Sequence, residues 1–286
     1  MSGPVLVGVD GSATSMAAVE AAAREADRLG VELRLTHAFE WSATRVPPGV
    51  PPWDPGGSRV HGSVNSALTE AERRARSAAP GLSVTRTVLM GEPMTVLETE
   101  SRRASLTVVG SRPPSRSAGS RRGSLAVRLA AHGQSPVLMV RGRPDPAGPV
   151  VLVGDHGRVG RAAAEFAFAE ASARGTDLVV LNGWDTRTGK PRNGFAATLS
   201  AQRKRHPDIV VRRPRVRGGI RRAVVEASAR AQLVVVGMNG RVGWTAASPT
   251  RISRATLRHA ACPVAVIRAE EEARGRSRPR HVGGAR

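Results

Sequence analysis

The feature that most constrains this chain is that it is written twice. Leu106-Thr-Val-Val-Gly110 returns as Leu233-Val-Val-Val-Gly237, and Ser135-Pro-Val-Leu-Met-Val-Arg141 returns as Cys262-Pro-Val-Ala-Val-Ile-Arg268, both 127 residues on. Nearer the start of each copy, Gly30-Val-Glu-Leu33 matches Gly175-Thr-Asp-Leu178 at a spacing of 145. A period this long is the size of a domain, well beyond the roughly 20 to 50 residues of a solenoid module. The spacing shrinks by 18 residues between the second and fourth apolar runs. There only the first copy carries Val46-Pro-Pro-Gly-Val-Pro-Pro-Trp53 and Pro55-Gly-Gly57, a loop by composition, since proline lacks the N–H and glycine the side chain that a helix or strand interior needs.

Each copy alternates short apolar runs with helical periods. The runs predict strands at Val5–Val9, Glu32–Phe39, Val84–Leu89, Leu106–Gly110 and Val137–Val140, then at Val150–Gly154, Leu178–Trp184, Ile209–Val216, Leu233–Gly237 and Val264–Ile267. Helices are expected between them, among them Thr14–Leu29, Val64–Ala78 and Arg161–Ala173. On the first, Ala18, Ala22, Ala26 and Leu29 fall on one face, with Ser12 or Thr14 as the capping residue. Strands joined by crossover helices make a parallel sheet covered on both faces. Only 3% of residues are aromatic, and tyrosine is absent, so the core must be Val, Leu and Ala. The expected fold is therefore α/β, two tandem doubly wound five-stranded domains of Rossmann-like or flavodoxin-like order. Their expected bounds are 1–143 and 149–268, with a linker through Pro144-Asp-Pro-Ala-Gly-Pro149 and a basic tail, 269–286, expected to be disordered.

Charge and cysteine content narrow the function classes. The formal charge is +21, and of 44 basic residues only Lys190 and Lys204 are lysine. That excess suits anionic partners and serves equally as a solubility device. One cysteine, Cys262, excludes a disulfide framework and a cysteine-rich zinc module and fits a reducing, cytoplasmic setting. No secretory leader precedes Val5, and apolar runs of about five or six residues fall far short of the roughly 20 that span a bilayer, so no membrane association is expected.

In a doubly wound sheet, ligands bind beyond the carboxyl ends of the strands where strand order reverses, here between the first and fourth strands of each copy. The first strand runs into Gly8-Val-Asp10-Gly-Ser12, and the fourth into Gly110-Ser-Arg112 and onward to Gly123-Ser124 at a helix start. Glycine amides and a serine hydroxyl at a helix N-terminus suit phosphate, and Asp10 suits a ribose hydroxyl or an amino group. Val-Gly-Val-Asp-Gly-Ser (Val7–Ser12), Val-Val-Gly-Ser-Arg (Val108–Arg112), His-x-x-x-Pro-Val-x-x-Val-Arg (His132–Arg141) and His-Ala-Ala-Cys-Pro-Val (His259–Val264) together resemble the universal stress protein family, over nearly the whole chain as two copies. The resemblance implies a cytoplasmic stress-response protein and, in one branch, ATP bound through Gly-x2-Gly-x9-Gly-Ser/Thr, with Mg accompanying it.

Neither copy completes that motif. The first has Gly110, Gly123 and Ser124 in place but Pro113 at the second glycine, which removes one amide donor. The second keeps Gly237 and Gly240 but has Thr250-Arg251 for the closing pair, and His156 replaces the aspartate of the first strand's turn. The first copy is therefore the better nucleotide candidate: Gly8, Val9, Asp10 and Ala38 around base and ribose, and Gly110, Arg112, Gly123, Ser124 and Leu125 around phosphates. The alternative is that Gly110 and Gly123 merely permit tight turns.

A catalytic role finds no support in a phosphate-binding loop with lysine, a nucleophile elbow or a His-Glu-x-x-His pair, and the protein is expected not to be an enzyme. His132 and His259 read as helix C-terminal residues, and Cys262 as an inert thiol. Arg212, Arg213 and Arg215, with Pro214 and Arg217, fall on the second copy's third strand, a sheet edge that charge and proline protect from aggregation. With no aromatic platform or known DNA-binding motif, this pattern disfavours nucleic acid. The final strands, Val137–Val140 and Val264–Ile267, are apolar edges expected to cover each other across a pseudo-twofold axis, giving an internal pseudo-dimer; a homodimer and protein partners of unknown identity are the other partners considered. The reading is a stress or signalling protein with a nucleotide site in the first copy, or a nucleotide-independent module acting through protein contacts.

Overall fold

The computed structural model describes residues 3–39, 57–111, 125–143, 146–154, 157–182, 195–216, 219–238 and 251–268. The first copy contributes β1 (Val5–Gly8), α1 (Ala13–Leu29), β2 (Leu33–Phe39), α2 (Gly57–Ala78), β3 (Val84–Met90), α3 (Pro93–Ser101), β4 (Leu106–Gly110), α4 (Leu125–His132) and β5 (Val137–Val140). The second contributes β6 (Val150–Gly154), α5 (Gly157–Ala173), β7 (Leu178–Asn182), α6 (Ala196–Arg205), β8 (Val211–Arg212), α7 (Ile220–Ser228), β9 (Leu233–Met238), α8 (Arg251–His259) and β10 (Val264–Arg268).

The ten strands form one sheet of order β3-β2-β1-β4-β5-β10-β9-β6-β7-β8. Each half is thus the Rossmann-like 3-2-1-4-5, and β1 lies between β2 and β4, which places the order reversal where the motifs required it. Every pairing is parallel except the seam, where β10 runs antiparallel to β5 with Ala265 opposite Leu138. Helices cover both faces. Alanines of α1 and α5, among them Ala18, Ala22, Ala163 and Ala167, are fully buried and let the helix backbones approach the sheet on one face. The opposite face is sealed by α3, α4, α7 and α8 through Leu97, Leu129, Val224 and Leu257. Burying a Leu or Val side chain this fully contributes about 1.5–3 kcal/mol, so the central strands, apolar on both sides, dominate stability.

Two further sets of contacts tie the halves together. Arg141, at the end of β5, donates to the Leu257 and Arg258 carbonyls at the end of α8, while Arg268, at the end of β10, donates to the Gly133 carbonyl just past α4. Each half therefore satisfies helix-end carbonyls of the other. Above the seam, Glu25 of α1 and Glu170 of α5 are 3% and 5% exposed. Arg174 joins them, with its Nε 2.9 Å from Glu170, a second nitrogen on Glu25 and its Nη1 3.1 Å from Gln232.

Several boundaries differ from expectation. β8 holds only Val211 and Arg212 in place of the expected Ile209–Val216, because Pro214 cannot donate to the ladder and its arginine neighbours face solvent. α2 and α5 begin seven and four residues early, at Gly57 and Gly157, since helix propagation costs little once tertiary contacts anchor the rest. His132 and His259 are the exposed last residues of α4 and α8. Cys262 is fully buried, and desolvation pushes its thiol up to about 12, which leaves it unreactive at neutral pH. The linker residues Pro144 and Asp145 and the tail 269–286 lie outside the described residues. Among the described residues no helix is long and apolar enough to cross a membrane.

Candidate functional site

The carboxyl end of β1 turns sharply into α1. Gly11 adopts φ +80°, a conformation that side-chain-bearing residues rarely enter, and this allows Asp10 and Ser12 to fold toward each other. The Asp10 carboxylate accepts from the Ser12 amide at 3.0 Å and from its hydroxyl at 2.5 Å. Ser12 is the N-cap of α1, and its Oγ accepts from the Ser15 amide at 3.2 Å. Asp10 is thereby fixed at the positive end of a helix dipole while its side chain stays exposed.

A cleft of about 380 Å³ opens beside this turn, between the β1–β2 strand ends and α2. Asp10 and Gly11 form one wall, Met16 and His37 the floor side, and Ser63, Val64, Ala67 and Glu70 of α2 the other wall. His37 Nδ1 is 2.8 Å from the Val9 carbonyl; a carbonyl can only accept, so Nδ1 carries the hydrogen. Hydrogen bonds from Arg73 and then Arg74 hold the Glu70 carboxyl down at about 2, so it is anionic at neutral pH and already matched by two guanidiniums. The cleft offers carboxylate and imidazole acceptors and an apolar strip, a lining suited to a hydroxyl- or amino-bearing ring more than to phosphate.

Of the described residues read from the sequence, Asp10 alone lines this cleft. Val9 is buried beneath it in the core. Gly8 and Ala38 belong to the other face of the sheet: a Cβ on Gly8 would come 3.0 Å from Leu97 of α3. Gly8 pairs with Thr36, a buried residue whose hydroxyl has no hydrogen-bond partner among the described residues. Gly110 ends β4 one strand away, and a Cβ there would lie 2.3 Å from the Thr14 carbonyl, so its glycine is required for α1 to lie on the sheet. Gly237 has the same role, its would-be Cβ lying 2.5 Å from Val159 of α5. Leu125 begins α4, whereas Arg112, Gly123 and Ser124 lie outside the described residues, as do Pro113, His156 and Thr250. His37, Ser63 and Glu70 were missed by sequence reasoning. His37 carried a readable signal, since it stands at a strand's carboxyl end one residue from Ala38; the α2 residues carried none, because their helix follows the long loop peculiar to the first copy.

The universal stress protein family model matches residues 1–141 and, separately, residues 148–268. The chain belongs to the universal stress protein family. It is 30% identical over 305 residues to universal stress protein Rv1996 of Mycobacterium tuberculosis, covering 94% of this chain and 96% of that one. Against Rv2005c of the same organism it is 32% identical over 289 residues, with 92% and 96% covered. A universal stress protein from Archaeoglobus fulgidus shares the fold, with a TM-score of 0.71 at 16% identity over 93% of this chain and 98% of that one. These relatives thus match this universal stress protein over more than nine-tenths of its length, a span that takes in both copies. Among the described residues no group of His, Cys, Asp and Glu could hold a metal ion, so any bound metal would have to arrive with its ligand or use other residues.

Proposed function

We propose that this universal stress protein is a cytoplasmic, non-enzymatic stress-response protein whose first domain binds ATP with Mg and whose second domain does not. The observation that carries the reading is the Asp10 turn. It presents a fixed carboxylate beside a cleft of nucleoside size at the strand-order reversal of the first domain, with Gly110 one strand away. In this reading Asp10 contacts base or ribose from the cleft, with Val9 beneath it and Gly8 and Ala38 behind it on the sheet's other face, while Gly110, Arg112, Gly123, Ser124 and Leu125 take the phosphates. Nucleotide occupancy would then set how the protein engages its partners.

Isothermal titration of the full chain with ATP·Mg tests this directly. Heat of binding at one site per chain is expected, and nucleotide should be released from the purified protein on mild denaturation. Absence of both, under conditions where another family member binds, would leave the second reading, a module acting through protein contacts alone. A specific observation favours that second reading: the close approach of α1 accounts for Gly110 without any ligand.

A further inference from the structure

The two outer edges of the sheet are equivalent by the repeat and differ in how far positive charge is balanced. At the first domain's edge, residues 57–103 hold seven basic and five acidic side chains. Most of those described are paired: Arg73 and Arg74 with Glu70, and Arg76 and Arg86 with Glu72. At the second domain's edge, residues 196–230 hold ten basic and two acidic side chains. Arg212 reaches Asp177 at 2.7 Å and Arg222 reaches Glu226 at 2.6 Å. Arg203, Lys204, Arg205, Arg213 and Arg221 are exposed and have no ion pair among the described residues.

Topology gathers these cations into one band. α6 lies on the α5 face of the sheet, with Leu199 in that core, and its last three residues are Arg203, Lys204 and Arg205. The chain then runs along the sheet's rim through β8, whose far side pairs with no strand, past Arg212 and Arg213. It enters α7 on the opposite face, with Val224 in the second core and Arg221 and Arg222 in the first turn. The result is a basic edge, or ridge, with exposed cations before, at and after the outermost strand and on both faces of the sheet. Read as a strand alone, its arginines need only guard an edge; the two helices make the band wider than that task requires.

We infer that this ridge is a binding surface for duplex nucleic acid, recognised through its phosphates. Cations spread over both faces of a sheet edge can meet both phosphate strands of a duplex, whereas a flat anionic membrane would meet only one side of it. Arginine in place of lysine supplies forked donors that match phosphate oxygens. With no aromatic side chain on the ridge, binding should be independent of sequence and governed by counterion release. The inference does not depend on nucleotide binding in the first domain.

The test is fluorescence anisotropy of the full chain with a labelled 20-base-pair DNA duplex across a salt series. If the five unpaired cations each neutralise one phosphate, affinity should fall about 500-fold between 50 and 200 mM monovalent salt. The triple variant Arg205→Gln, Arg213→Gln, Arg221→Gln takes one cation from α6, one from just past β8 and one from α7. It should flatten that dependence to roughly 12-fold and weaken binding at low salt, with an unchanged circular dichroism spectrum and melting temperature. The control triple Arg76→Gln, Arg102→Gln, Arg103→Gln makes the same charge change at the other edge and should leave binding near wild type. No binding by wild type at 50 mM salt, equal weakening by both triples, or binding to phosphatidylserine vesicles in place of DNA would each overturn the proposal.

Discussion

The two halves of this molecule share a backbone and differ in what the backbone carries. Gly11 and Gly157 adopt φ of +80° and +77° at the same turn, and Gly110 and Gly237 each let a helix lie against the fourth strand of its half. Around those shared glycines the chemistry diverges: Asp10 and Ser12 of the first half face His156 and Arg158 of the second in the repeat. The glycines answer to packing, which both halves need to build one sheet. The side chains are free to diverge, and under the proposed function only those of the first half serve a ligand. The same division holds at the edges, where the first half pairs its charges and the second accumulates them.

If the shared backbone is what unites the halves, the largest effect should come from the seam. Leu138, 3% exposed and opposite Ala265, should not tolerate a charge: Leu138→Lys is expected to cost about 4 kcal/mol or more and to abolish the single cooperative melt. Two independent transitions at unchanged temperatures would mean the halves do not rely on each other. Next is the asymmetric bridge. Arg174→Met leaves Glu170 buried without its ion pair and Glu25 with Arg28 alone, and should destabilise by about 3 kcal/mol, lowering the melting temperature by roughly 6–12 °C. An unaltered melt would show that this bridge contributes nothing net.

The chemical difference between the halves predicts a smaller, local effect. Asp10→Asn should weaken ATP affinity about tenfold by removing a charged acceptor, whereas Asp155→Asn should leave it unchanged. Equal losses in titration would place the ligand in both halves or in neither crevice. A gentler probe is pH. Burial, and then repulsion from Glu25, raise the Glu170 carboxyl above its usual 4.5. Folded Glu170 keeps its proton in a range where the unfolded chain has lost it, so this group's stabilisation is full below 4.5 and disappears as pH rises through the raised value. Denaturation midpoints of Glu170→Gln should therefore fall less steeply with rising pH above 4.5 than those of wild type. The smallest effect concerns helix starts. α3 is capped by the Glu92 carboxylate on the Thr95 amide at 3.1 Å, while Gly219 at the start of α7 supplies no side chain. Open space surrounds a Cβ there, so Gly219→Ser should gain a few tenths of a kcal/mol, measured by urea denaturation.

Much of this was readable because two signals reinforced each other. The central parallel strands are apolar on both faces and recur in the second copy, at one spacing before the first copy's extra loop and another after it; β4, β5 and β6 fall where the apolar runs place them. The seam was legible for the same reason, since an apolar final strand with no third neighbour must find one. Helix starts were less so, because α2 and α5 extend beyond their periodic cores through residues whose own preference is weak. The cleft was the least legible part. Asp10 announced itself by its glycine turn, but Ser63 and Glu70 reach the site only through the angle at which α2 crosses the sheet, which no local pattern encodes. Nor does any short window show that the cations ending α6, lining β8 and opening α7 converge on one rim.

The antiparallel contact between Val137–Val140 and Val264–Arg268 also fixes how the protein behaves on dilution. The two halves it unites are joined by the few residues between Val140 and Val150, so their association is a unimolecular event at a high effective concentration. A pair of separate chains would come apart as their abundance fell, and their melting temperature would fall with it. Here the ratio of the two halves is locked at one to one and their union is independent of copy number, so the differing halves stay matched even when few molecules are present.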